Sequence, residues 1–129
     1  MQFNLPIDIA EGFDRLSIME VKKSKSPPLK QAEIELQIQT LQNQISTAIG
    51  LDLAEKIYDS PEYKELYNVN KEIFLSIDEL RLESKCNCID YRAVAILGIK
   101  IDSLNTKRFN VKNKIQEKHF GKKMEEVKL

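Results

Sequence analysis

Between Asp90 and Gly121 the chain reads YRAVAILGIKIDSLNTKRFNVKNKIQEKHF, with no proline and a single glycine, Gly98. Val94, Ile101, Leu104, Val111 and Ile115 recur at helical spacing, so the whole segment reads as one amphipathic helix. Asp90 is placed to cap its start and Gly121 to stop it, while Gly98 would allow a close crossing. A helix of about 30 residues is a rod of about 45 Å. A rod of that length in a chain of 129 residues needs other long helices to cover its apolar stripe. The expected fold class is therefore all-α: an antiparallel helical bundle.

The rest of the chain supplies the partners. SKSPP stops the preceding segment, with Ser26 as N-cap and Pro27 at the first helical position. A helix from about Pro28 to Ile49 follows, its seam formed by Ile34, Ile38, Leu41, Ile45 and Ala48 at coiled-coil-like spacing, and Gly50 ends it. LDLAEKIYD reads as two short turns. Ser60 and Pro61 repeat the cap-then-proline pattern, opening a helix from about Pro61 to Ser84 on the stripe Leu66, Val69, Ile73, Ile77 and Leu80. A shorter helix from about Ala10 to Lys23 is apolar nearly all round, through Phe13, Leu16, Ile18, Met19 and Val21, and so should be buried. MQFNLPIDIA reads as an extended arm laid on the body. The expectation is a single domain over 1–121, of three long helices and one short one, with residues 122–129 a frayed charged tail. The last helix outlasts its partners. Its overhang from about Val111 onward keeps offering apolar residues, which points to a homo-oligomer.

Composition narrows the function classes. Charged residues make up 31% of the chain, Gly and Pro are scarce, and the net charge is zero, a balance that argues against a duplex-DNA binder. The charge is uneven: from Asp102 onward eight Lys/Arg face four Asp/Glu, and from Glu33 to Asp90 twelve acidic residues face five basic ones. Either acidic and basic helices pack side by side, or the basic helix meets an anion. No apolar run approaches a membrane span and no signal peptide precedes Met1, so a cytoplasmic protein is expected. Cys86 and Cys88, one residue apart, would make a strained bridge. With His119 they offer too few ligands for a closed zinc shell. No phosphate loop, nucleophile elbow or HExxH is present, and Asp78 and Glu79 point to different faces. Neither an enzyme, a metal nor a cofactor is expected.

What stands out is a set of polar residues on apolar stripes: Glu20 on the first helix, Asn70 on the third, and Asn105 and Arg108 on the last. Lys112 extends the edge of Arg108. Burial of an unpaired charge is costly, so each needs a partner. One reading is an internal network in which Glu20 accepts from Arg108, with Asn70 and Asn105 taking the remaining donors. The other is a ligand site. There Arg108, Lys107, Lys112 and Arg92 would hold phosphate or carboxylate, Asn70 and Asn105 would orient, and Tyr91 or Phe109 would stack a base.

The segment EGFDRLSIMEVKKSK resembles the opening of a family of small all-helical proteins of bacteria and bacteriophages that carries no assigned activity. Asp14, Arg15, Glu20 and Lys22 stand in the matching places. The likeness extends to LYNVNKEIFLSIDELR, through Asn70, Asp78 and Arg81, and to LNTKRFNVKNKI, through Asn105, Arg108, Lys112 and Ile115. The chain departs from the family pattern at Glu11-Gly12-Phe13, and Phe74 stands where a Trp is usual. The resemblance implies a stand-alone all-helical protein, phage-encoded or from a mobile region and acting in the host cytoplasm, with Glu20, Asp14 and Arg15 in the polar network. It implies no catalytic role. Phage proteins of this size act as stoichiometric inhibitors or as sponges for nucleotide immune signals, which is an analogy of size and context. The first expectation for function is thus a helical protein that sequesters an anionic, nucleotide-like ligand. The alternative is a protein–protein adaptor or inhibitor in which the polar cluster is purely structural.

Overall fold

The computed structural model describes residues 9–85 and 88–121. Their order is α1 (Ile9–Ser24), α2 (Pro28–Ile49), α3 (Leu51–Tyr58), α4 (Pro61–Lys85) and α5 (Tyr91–Phe120). The fold is all-helical among the described residues, as the periodicity requires. The long segments begin and end where their caps lie. Ser60 Oγ accepts from the Tyr63 amide at 3.2 Å. Asp90 accepts from the amides of Arg92 and Ala93 at 3.1 and 3.2 Å. Gly121 takes φ 72°, the left-handed conformation that suits glycine, and its amide donates to Glu117 O.

Several expectations are corrected. Pro27, not Ser26, precedes the first residue of α2, and it has no side-chain cap; the Ser26 hydroxyl donates back to Lys22 O at 2.7 Å instead. The two short turns at LDLAEKIYD are one helix, α3, which buries Ala54 and Ile57. Gly50, at φ 91°, both ends α2 and starts α3. Ile9, placed in the arm by sequence, opens α1 one residue ahead of Ala10, and both are fully buried. Ala48 faces solvent. A Cβ at Gly98 would meet nothing within 4 Å, so no helix crosses closely there. The rest of the expected arm, the Cys86 half of the CxC pair and the tail at 122–129 lie outside the described residues.

α1 is the hub. It packs on α2, α4 and α5, while α3 bridges α2 and α4. Its Ile9, Phe13, Leu16 and Val21 are at most 1% exposed, and each such burial stabilises by about 2 kcal/mol. α4 and α5 form an antiparallel hairpin whose open end is tied by Lys114–Glu65 at 3.5 Å and Lys118–Glu62 at 3.1 Å. The main core takes the first part of α4 and the last part of α5, including Leu66, Val111 and Ile115. Farther along the hairpin lies a small separate cluster of Val69, Ile73 and Leu104 with Ile77 against it.

The apolar overhang is therefore at the opposite end from the one expected. Val111 and Ile115 are 1% and 0% exposed, because the C-terminal half of α5 lies against α1 and the start of α4. The exposed end is the joined tip, residues 74–85 of α4 and 91–103 of α5. There Leu82 is 69% exposed, Ile96 58%, Ile99 71% and Tyr91 76%. Twelve residues of helix extend the α4 side by about 18 Å.

Candidate functional site: a carboxylate-centred polar core

The side chain of Asp14 is 1% exposed and sits where α1, α4 and α5 meet. Arg108 Nε donates to its two oxygens at 3.0 and 3.1 Å, and a second guanidinium nitrogen, NH2, donates to Oδ2. Asn70 Nδ2 donates to Oδ1 at 2.9 Å and to Ser17 Oγ at 2.7 Å. Ser17 Oγ in turn donates to the Asp14 carbonyl at 2.7 Å. Lys112 Nζ lies 3.5 Å from Asp14 Oδ2 and makes an ion pair with Glu11 at the rim. Two cations thus meet two carboxylates, and no charge in this cluster is left over.

The titration behaviour follows from that geometry. Burial pushes the Asp14 carboxyl up and is the largest single influence. Hydrogen bonds from Arg108 and Asn70 and the charges of Arg108 and Lys112 together outweigh it and hold the group below its ordinary value. Arg108 is shifted up, first by its hydrogen bond to Asp14. The Arg108 side chain keeps 29% exposure, that of Lys112 11% and that of Glu11 44%, so the cluster opens to water along its Arg108 and Glu11 rim while Asp14 stays closed off.

A second, half-buried arrangement lies six residues farther along α1. Glu20 accepts from Tyr58 OH at 2.5 Å and from Tyr63 OH at 2.6 Å. The two rings are tilted by 34° with centroids 4.9 Å apart, and Tyr63 meets Phe13 edge-on at 5.9 Å. Both hydroxyls are pushed above the ordinary tyrosine value, by burial first and then by Glu20.

The expected Glu20–Arg108 contact is therefore overturned. Asp14 takes Arg108, and Glu20 is held by two tyrosines. The cause is rotational: on α1 these carboxylates are six residues apart, about 120° round the helix, so they cannot both face α5. Of the sequence-picked residues the structure brings together Asp14, Asn70, Arg108 and Lys112. It does not bring in the others. Asn105, Lys107 and Arg15 are exposed, and Phe109 is 42% exposed. Arg92 and Tyr91 stand on the hairpin tip, with Arg92 about 24 Å along α5 from Arg108. Sequence reasoning did not assign roles to Glu11, Tyr58 or Tyr63, nor partners to Ser17. Stripe analysis follows apolar positions and gives no signal for a rim carboxylate or for which hydroxyl meets which acid.

Among the described residues no three or more His, Cys, Asp or Glu side chains gather closely enough to hold a metal ion. No helix there is long and apolar enough to cross a membrane. No family model, curated protein or solved structure matches the chain.

Proposed function

We propose that the chain is a non-enzymatic interaction protein of the adaptor or stoichiometric-inhibitor kind, with the polar core as its internal lock and the α4–α5 tip as its working surface. The supporting observation is that tip: Leu75, Leu82, Tyr91, Ile96 and Ile99 are all between 41% and 76% exposed, an apolar end that would gain from being covered by a partner. Its first occupant is a second copy of the same chain. Residues 72–85 of α4 carry Glu72, Asp78, Glu79 and Glu83 against Arg81 and Lys85. Residues 91–107 of α5 carry Arg92, Lys100 and Lys107 against Asp102. A two-fold pairing that lays α4 of one copy on α5 of the other matches negative to positive twice while burying the apolar residues.

Sequestration of an anionic, nucleotide-like ligand has less support. Arg108 and Lys112 are neutralised by Asp14 and Glu11, and the remaining cations are scattered. Nothing about activity is carried over from the family resemblance.

Sedimentation velocity on wild type and on Ile96→Glu/Ile99→Glu tests the proposal. Wild type should sediment as a dimer at micromolar concentration and the variant as a monomer with an unchanged circular-dichroism spectrum. A wild type that stays monomeric at ~100 μM, a weak-association limit of about −5.5 kcal/mol, rejects self-pairing.

A further inference from the structure

Three of the four tyrosines of the chain meet at one place. Tyr58 ends α3, Tyr63 and Tyr67 lie one turn apart on α4, and all three line a hollow of about 360 Å³ together with Asp59, Lys64 and Asn68. The volume falls within the ordinary range for a small-ligand cleft.

The electrostatics of this hollow differ from those of the Asp14 core. Behind it, Glu20 accepts from the hydroxyls of Tyr58 and Tyr63. A phenol that donates to a carboxylate has a more electron-rich ring, and so a stronger attraction for a cation on its face. Asp59 in the lining adds a second negative charge, against the single lining cation Lys64. Two of the three phenols already donate their hydroxyl hydrogens to Glu20, so they cannot serve as donors to an anionic guest. A primary ammonium would leave part of its strong hydration behind and find few acceptors inside. A methylated ammonium needs none, because its charge is spread over methyl groups that rest against aromatic rings.

We propose that the hollow lined by Tyr58, Tyr63, Tyr67 and Asp59 binds a quaternary ammonium group, as carried by choline or by a trimethylated lysine. This site is separate from the pairing surface at the hairpin tip and does not rest on it.

The test uses the full chain and its own tyrosine fluorescence, which no tryptophan obscures. Choline and trimethyllysine are titrated beside 3,3-dimethylbutan-1-ol, the neutral carbon isostere of choline. Choline should bind at least about tenfold more tightly than the isostere, since a cation–π contribution is typically of that size. The tighter of the two ammonium probes names the source of the group. Tyr67→Phe should stay within about twofold of wild type, Tyr67→Leu should lose about tenfold, and Lys64→Ala should tighten binding. Equal binding of choline and its isostere, or no saturable response to either ammonium probe, overturns the assignment. That comparison is made on wild type, so it stands even if a Tyr67 variant fails to fold.

Discussion

Replacement of Asp14 by Ala is the sharpest perturbation of the core. The wild-type carboxylate is 1% exposed and takes hydrogen bonds from Arg108 and Asn70, with Lys112 3.5 Å away. Removing it leaves a half-buried guanidinium and a nearly buried ammonium without that acceptor. Breaking a fully buried pair costs about 3–5 kcal/mol. Arg108 can still reach water, Lys112 keeps Glu11 and Asn70 keeps Ser17, which lowers the expected loss to about 2–4 kcal/mol. For a chain of this length that is a fall in Tm of roughly 6–15 °C. Urea denaturation followed by the helical circular-dichroism signal reads it directly. Arg108→Met should also destabilise, and the double variant Asp14→Ala/Arg108→Met should lose less than the sum of the two single changes by about 1–3 kcal/mol. An Asp14→Ala loss below about 0.5 kcal/mol, the size of an ordinary surface substitution, refutes the assignment of Asp14 as the centre of the core.

Other consequences can be checked alongside. The folded Asp14 carboxyl is held below its ordinary value of 3.8, so its contribution is present above that pH and is lost as the pH falls through the lower folded value; Asp14→Asn should flatten that acid limb. Tyr58 and Tyr63 are raised above 10.0, so their contribution holds below pH 10 and is lost as the pH rises beyond it. Absorbance at ~295 nm, the phenolate band, should show these two tyrosines ionising only as the chain unfolds. Gly98 sits exposed within α5 with open space around it, so Gly98→Ala should stabilise by about 0.5–1 kcal/mol in thermal denaturation. Asp90→Ala removes the acceptor for two amides at the start of α5 and should cost about 1 kcal/mol.

The long helices were legible because punctuation and periodicity agree. Pro28, Pro61, Asp90 and Gly121 stand within a residue of observed boundaries, and the buried residues of α2 and α4 follow their 3-and-4 spacing. α3 was missed because eight residues give too few turns for a period to declare itself. The reversed overhang has a different cause. α5 is apolar along its whole length, so sequence alone cannot say which half meets α1; the tertiary pairing of Asp14 with Arg108 decides it. The same limit applies to the site. Arg108, Lys112 and Asn70 were visible as polar residues in apolar places, but α1 is apolar nearly all round, and its helical wheel does not tell whether Asp14 or Glu20 faces α5. The tyrosine hydroxyls that claim Glu20 come from 38 and 43 residues away, a separation that no local pattern encodes.

Native mass spectrometry of the protein as purified from cells tests the central claim most directly, because it weighs the assembly and any retained anion in one spectrum. A neutralised core and an exposed, self-complementary tip predict a dimer with no nucleotide mass attached. A monomer that carries a stoichiometric nucleotide, lost on Arg108→Ala with the fold intact, would contradict the account on both points.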